Sequence, residues 1–427
     1  MQLRDARKQK MCKSYPGNLY HVLSYSDSMV SSHLSSCFDD LRVLLASFSL
    51  VAFVFMVTIL SISLLGMRTA QAFPFPLQDA RAASMGGVGV ATGVRNAPFS
   101  NPALMATNDK DYDWIIMLPS VAETESIADD FDKNLEKFQK DYVPPPPGLS
   151  IPDAQARLDM LQQDTFTQSN ITAITVVVPS ETVAALAFVK DINYESAQVK
   201  VGTVGDPDGT TAQDPYDSQV EHRAISIQEV GVSLATLLHD PYLLPDDTLL
   251  GVNLRLSLIQ AYGYSESVMV GSANLDTNQV QARTGAVNFD FGLAKEFGVW
   301  KVGIVVKDII RFEREYGDSG DYYLVKPLIR FGFAYRSRKT LWEIDADLTE
   351  NAALPHQAKT QYAALGFEYQ LFSGFHVRLG LRQNSIGDKL LTKTAGLGLN
   401  YFGIEVNVSV VEDEIEKGGF AQLNLEF

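Results

Sequence analysis

The chain has 427 residues, 46% of them hydrophobic, and a formal net charge of −16. This hydrophobic share excludes both a disordered chain and a bundle of membrane helices. The acidic balance excludes the basic footprint that nucleic-acid binding requires. The only two cysteines, Cys12 and Cys37, lie near the N-terminus, so the rest of the chain has no disulfide framework and no Cys-based metal site.

Residues 41–66 form the one apolar run of helix length. The run is followed by Ala70-Gln71-Ala72, a small-x-small pattern that predicts cleavage after Ala72. The run is also long enough for a membrane anchor, and that is its alternative reading. The expected organisation is a leader and signal peptide over 1–72, an N-terminal segment over 73–110, and a β-domain over 111–427. Residues 1–40 are an extended leader and receive no structural role.

The N-terminal segment contains "ARAASMGGVGVATGVRNAPFSNPALMA". Gly86, Gly87, Gly89 and Gly93 allow tight turns or close backbone approach. Asn101-Pro102-Ala103-Leu104 follows. A phosphate loop is excluded, because no strand precedes the glycines and no Lys-Ser/Thr follows them.

Residues 121–169 read as a helical insert. Ile127, Phe131, Leu135 and Phe138 fall at helical spacing. Prolines 144–147 make a stiff spacer, and a second helix is expected from about Ile151-Pro152. The insert reads either as a lid or partner-binding element over a pore mouth, or as a solvated acidic loop.

From residue 170 onward the period is two. Val252, Leu254, Leu256 and Leu258 share one face of their strand; Trp342, Ile344, Ala346 and Leu348 do so on another, opposite Glu343, Asp345 and Asp347. About fourteen such strands fit between 111 and 427. Short turns alternate with long connections, among them 204–221, 263–282 and 311–324. The connection 238–247 is the exception on the short side. A transmembrane antiparallel barrel has this rhythm, with short periplasmic turns and longer outer loops. Aromatic residues near strand ends, such as Trp342, Phe372, Tyr401 and Phe402, match interfacial girdles. The last strand alternates to the end: Ala421, Leu423, Leu425 and Phe427 are expected to face lipid and to resemble the C-terminal signal read by the barrel-assembly machinery. The lumen is then lined by Arg255, Asp290, Lys301, Lys326, Arg330, Glu343, Asp345, Arg378, Arg382, Lys393 and Glu405.

The small-residue block and its Asn-Pro-Ala motif, placed before some fourteen strands, resemble the N-terminus of the FadL-like outer-membrane barrels. The TraF-type conjugal-transfer family is more similar still, through Ala80–Gly89, Asn96–Ala106 and "VGIVVKDII" at 302–310. This resemblance covers most of 77–427. It implies that Gly86, Gly87, Gly89, Asn101, Pro102 and Ala103 belong to a hatch folded into the barrel lumen. A thioredoxin-like conjugation protein shares the family label; a Cys-free mature chain excludes that activity.

No catalytic residues, metal or cofactor are expected. The histidines His222, His239, His356 and His376 form no recognised motif, and "GDPDGTTAQDPYD" lacks EF-hand spacing. Two functions follow. The first is FadL-like transport of small hydrophobic or amphipathic molecules across the outer membrane of a Gram-negative bacterium. The second is a non-transporting envelope component of conjugation or secretion, in which the barrel anchors a protein partner.

Overall fold

The computed structural model describes residues 79–427 except 95, 108–114, 127–129, 143–157, 159–160, 162–164, 179–182, 206–210, 239–246, 270–280, 316–321, 352–355, 357–358, 388, 415 and 427. The expected leader, cleavage site (Ala70, Ala72), proline spacer and Phe427 lie outside the described residues.

Two helices are described: α1 (Ala80–Ser84) and α2 (Asp130–Tyr142). Pro102–Thr107 forms a 3-10 turn. The strands are β1 (Ile115–Ser126), β2 (Thr165–Val178), β3 (Ala184–Gly205), β4 (Thr211–Leu238), β5 (Thr248–Ser267), β6 (Gln281–Phe297), β7 (Trp300–Lys307), β8 (Phe312–Glu315), β9 (Tyr322–Val325), β10 (Leu328–Arg336), β11 (Thr340–Asp347), β12 (Tyr362–Phe372), β13 (Phe375–Asn384), β14 (Leu391–Tyr401), β15 (Ile404–Glu412) and β16 (Glu416–Glu426).

All but β8 and β9 pair with their neighbours in an antiparallel barrel of fourteen strands, closed by β1 against β16. Closure leaves no unpaired strand edge, which a sheet surrounded by lipid requires. Four turns at one end are tight, 298–299, 337–339, 373–374 and 402–403, and the longer β4–β5 connection, 239–247, is the exception there. Phe402 and Gly403 both have left-handed φ, 50° and 77°, the conformation whose twist suits a two-residue hairpin. We call this end the turn end and the opposite one the loop end.

The outward face carries an exposed apolar belt. Val230, Val232 and Leu234 of β4, Leu254 and Leu256 of β5, Leu379 of β13, and Val406 and Val408 of β15 all belong to it. On β16, Ala421 is exposed and Leu423 and Leu425 are half-buried on the outward side, while Gln422 and Asn424 are buried inward, as the alternation predicts. Lys393 departs from expectation. It shares the exposed face of Leu397 and Leu399, so it points outward near the loop end, beyond the middle of the belt.

Three strands run well past the belt. Residues 204–205 and 211–221, read as loop, continue the β3–β4 hairpin instead, and β5 reaches Ser267. Residues 121–126 are strand, and the described part of the insert's helix runs from Asp130 to Tyr142, with Ile127 outside the described residues. Its Phe131, Leu135 and Phe138 are buried, as their spacing predicts. They pack with Leu158 and Leu161 against Ala197, Val199, Val220 and Val268. Ala197 and Val199 have the same parity along β3 as exposed Val189, so this helix covers the outer wall and not the pore mouth. Gln139 fixes it there by donating to the Val268 carbonyl at 3.0 Å.

A charge on the belt faces lipid with no partner. Val408→Arg is expected to destabilise the barrel in lipid vesicles by about 2–4 kcal/mol, measured by denaturant unfolding of the reconstituted protein.

Candidate functional site

The barrel interior is divided into layers. At the turn end and mid-height it is filled by the N-terminal segment, residues 79–107, whose residues are almost all buried. Backbone enclosed this way needs hydrogen-bond partners, since water is displaced. The wall supplies them with side chains. Asp345 Oδ2 accepts from Gly89 N (2.9 Å) and Val90 N (3.1 Å). Glu343 Oε1 accepts from Ala91 N at 2.8 Å, and its other oxygen from the Thr92 hydroxyl. Thr394 accepts from Gly86 N (2.9 Å) and Gln422 from Ala80 N (3.1 Å). Asn253 and Lys307 donate to the carbonyls of Pro98 (2.7 Å) and Phe99 (3.0 Å).

The Asn-Pro-Ala motif has a mechanical explanation. Asn101 is fully buried. Its amide donates to Val90 O (2.9 Å) and to Leu293 O on β6 (3.0 Å), while its carbonyl caps Ala103 N (3.1 Å). One side chain therefore closes the segment on itself, ties it to the wall and starts the 3-10 turn at Pro102. The wall makes room with glycines. A Cβ on Gly251 would strike the Pro102–Ala103 peptide, and one on Gly292 would strike Asn101. Gly303 and Gly332 are similarly filled by Val90 and Ala91, Gly366 by Met85 and Val88, and Gly380 by Met85 and Gly86. Gly86 and Gly87, in turn, adopt left-handed φ of 75° and 85°. A Cβ on Gly86 would meet the Leu381 backbone, at 2.6 Å from its carbonyl oxygen.

Above this segment lies a charged layer. Arg255 donates to Glu229 (3.0 Å), Asp290 (2.7 Å) and Asp308 (2.6 Å), and Lys190 pairs with Glu229 at 2.5 Å. Elsewhere on the wall Arg330 pairs with Asp347 (2.6 Å), and Arg378 with Glu368 (2.6 Å). Thus Arg255, Asp290, Arg330, Glu343, Asp345, Arg378 and Glu405 all face the interior and are buried. Arg382 is half-buried, with its guanidinium over the Tyr362 ring. Lys301 pairs with Glu296. A polar cavity of about 200 Å³ remains at the turn end, between α1 and the wall, lined by Arg81, Glu368, His376, Arg378, Asn400 and Glu405 among others.

Toward the loop end the interior changes character. Ile171, Ile192, Tyr194, Ile225, Ile227, Ile259 and Phe420 are buried and cluster across the lumen. The sequence pattern concealed this layer, because a lumen-facing isoleucine breaks the apolar-out, polar-in rule. The connection read as loop 311–324 supplies the hairpin β8–β9, whose Tyr323 and Val325 join the same cluster, with Phe312 against it. The signal available was the Tyr322-Tyr323-Leu324-Val325 run, too apolar for a solvated loop.

At the loop end, past the belt, His356 of the β11–β12 connection meets the opposite wall. Its Nδ1 lies 3.1 Å from Ser196 Oγ and its Nε2 3.7 Å from Glu221. The His356 contact contributes most to holding the Glu221 carboxyl down to about 2; partial burial opposes it, and Lys200 and Arg223 add to it. Ser196 is 2% exposed, so this Ser-His-Glu set is a buried polar contact with no open nucleophile.

A family model described as "F plasmid transfer operon, TraF, protein" matches residues 98–348, more than half of the chain. Among solved structures, a Pseudomonas aeruginosa FadL homologue matches with a TM-score of 0.51 at 11% identity, over 84% of this chain and 99% of that one. A deltaS2S3 mutant of the monoaromatic hydrocarbon channel TodX matches with a TM-score of 0.50 at 11% identity, over 82% and 99%. At these identities the likeness is one of fold. No curated protein matches the chain in sequence. The barrel is FadL-like in fold, and by the family model the chain belongs to the TraF family.

Proposed function

We propose that this protein is an outer-membrane barrel that passes small hydrophobic or amphipathic molecules. The observation that carries the reading is the isoleucine-rich layer of the lumen. A water-filled pore gains nothing from such a lining, whereas an apolar solute leaving water is stabilised by it, by about 25 cal/mol per Å² buried. The N-terminal segment serves as a hatch below this layer, and β8–β9 covers it from above. The exposed apolar belt supports a position in the outer membrane of a Gram-negative bacterium, with the turn end periplasmic and the leader removed after Ala72. The outward Ala421, Leu423 and Leu425, completed by Phe427, support recognition by the barrel-assembly machinery. The reading involves no enzymatic step.

A second reading is favoured by the TraF family match. In it the barrel anchors a component of conjugal transfer, and α2 on the outer wall presents its polar face to a partner. Mating frequency separates the two. A deletion strain that conjugates poorly yet takes up every hydrophobic solute normally supports the second reading.

The transport reading is tested by uptake of a panel of monoaromatic and aliphatic compounds in a deletion strain. Unchanged uptake of all of them would sink it. Ile225→Asp is expected to reduce uptake about tenfold or more by placing a carboxylate in the apolar layer. The amount of heat-modifiable barrel is expected to hold, because the residue faces away from lipid.

The hatch role makes its own prediction. Asp345→Asn leaves Gly89 and Val90 with a neutral acceptor in place of a carboxylate. The seating of the segment is expected to weaken by about 1.5–3 kcal/mol. Faster amide exchange over residues 86–92, with the barrel strands unchanged, is the measurement that checks it.

A further inference from the structure

The wall releases the chain at Asp308. Here β7 ends, and Asp308 adopts a left-handed φ of 55°, uncommon for a residue with a side chain. The turn is fastened to the wall on every side. Asp308 N donates to Asp290 Oδ1 at 3.0 Å. Asp308 Oδ1 accepts from Arg255 at 2.6 Å and from Asn288 at 3.3 Å. Asn288 also holds Ile310 in both directions, accepting from its N (2.9 Å) and donating to its O (3.0 Å). These bonds set the root of the β8–β9 hairpin, and so set Tyr323 and Val325 in the apolar layer.

The same side chains hold the N-terminal segment. Asp290 shares its second oxygen with Asn253 (2.9 Å), the residue that donates to Pro98 O. Lys307, adjacent to Asp308, donates to Phe99 O. Through Glu229, Arg255 is linked to Lys190, which lies over the Phe99 ring at 5.8 Å. Phe99 also packs edge-on against Phe188 of the wall, 5.5 Å between centroids. The buried layer holds three cations, Lys190, Arg255 and Lys307, and three carboxylates, Glu229, Asp290 and Asp308. Its balance depends on Asp308, and Asp308 belongs to the hairpin root.

We propose that the β8–β9 hairpin and the N-terminal segment are one interlocked gate, with Arg255 as the joint between them. If the hairpin leaves the lumen, the turn at Asp308 must change. Arg255 then loses one of its three carboxylates, and Asp290 loses the Asp308 amide. The remaining buried charge is positive, and a low-dielectric interior does not tolerate that without rearrangement. The cations nearest to compensate are Lys190 and Lys307, the two that touch Phe99. Movement at the loop end therefore loosens the Pro98–Phe99 contact at mid-height. The coupling runs through a defined set of buried groups, and as a linkage it acts equally in both directions. Calling the two elements closures rests on the transport reading; their coupling does not.

Amide exchange of the full chain in lipid nanodiscs tests it. Asp308→Asn removes one charge and keeps the shape. It is expected to raise exchange about tenfold both in the hairpin strands, 312–315 and 322–325, and across 97–104, with β14 and β15 unchanged. A rise confined to the hairpin overturns the proposal. Asn101→Ala loosens the segment from its own side, away from the charged layer. By reciprocity it must raise exchange in the hairpin; an unaffected hairpin overturns the proposal even where Asp308→Asn does not assemble. Solute uptake is read in neither arm, so failure of the transport reading leaves these outcomes unchanged.

Discussion

Backbone threaded through a barrel must be hydrogen-bonded by the wall, and much of this interior follows from that constraint. A helix satisfies its own peptide groups and paired strands satisfy each other's; the irregular run from Gly86 to Asn101 does so only in part, through turn bonds such as Gly93 N to Gly89 O and Phe99 N to Asn96 O. Asp345 and Glu343 are placed where four successive residues, Gly89 to Thr92, present donors. Asn253 and Lys307 are placed where Pro98 and Phe99 present carbonyls. The partners reach only because the backbones approach closely, which is why glycines line the wall opposite the segment. Acceptors and glycines thus serve one purpose. A β-carbon on Gly303 or Gly380 would push the segment off the groups that satisfy it.

The charged layer obeys a related rule. Burying Arg255, Asp290 and Glu229 is costly, and ion pairing in a low dielectric often does no better than break even. What the layer supplies is position. Each member has several partners with fixed geometry: Arg255 has three carboxylates, and Asp290 takes bonds from Arg255, Asn253 and the Asp308 amide. The interior also holds two regions of different chemistry: the isoleucines cluster with other apolar side chains, Ala80 and Ala83 of α1 among them, and the cavity beside α1 is lined mostly by polar residues.

The barrel was legible in the sequence because a lipid-facing belt imposes strict alternation. Each of the fourteen strands overlaps a segment read as strand, although β1, β2, β4 and β5 run on into segments read as insert or loop. β1 is the faintest, and its Pro119 lacks a ladder donor; its pairing shifts register against both neighbours near that residue. The pattern misleads where the rule behind it lapses. Lys393 lies at a strand end, where the belt no longer forbids a charge. Ile192, Ile225, Ile227 and Ile259 face inward and so weaken the alternation that marks the face. The wall–segment contacts were invisible for another reason. Asp345 and Gly89 are 256 residues apart, and nothing local to either records the pairing. Asn101 could be singled out by motif, but its three bonds could not.

The extensions of β3, β4 and β5 show what happens where lipid stops. Below the belt's edge, Val189, Val230 and Leu256 are apolar and exposed. Beyond it the outward face stays apolar at Ala197, Val199 and Val220, which in water would be a liability. The helix α2 removes it, burying Phe131, Leu135 and Phe138 against them. The spacing of those three residues predicted an amphipathic helix but not its partner, since half of the surface it covers, Val220 and Val268, had been read as loop. Cover from a helix has one consequence that cover from lipid does not: it is covalently attached between β1 and β2, so past the belt the chain itself covers the outer wall.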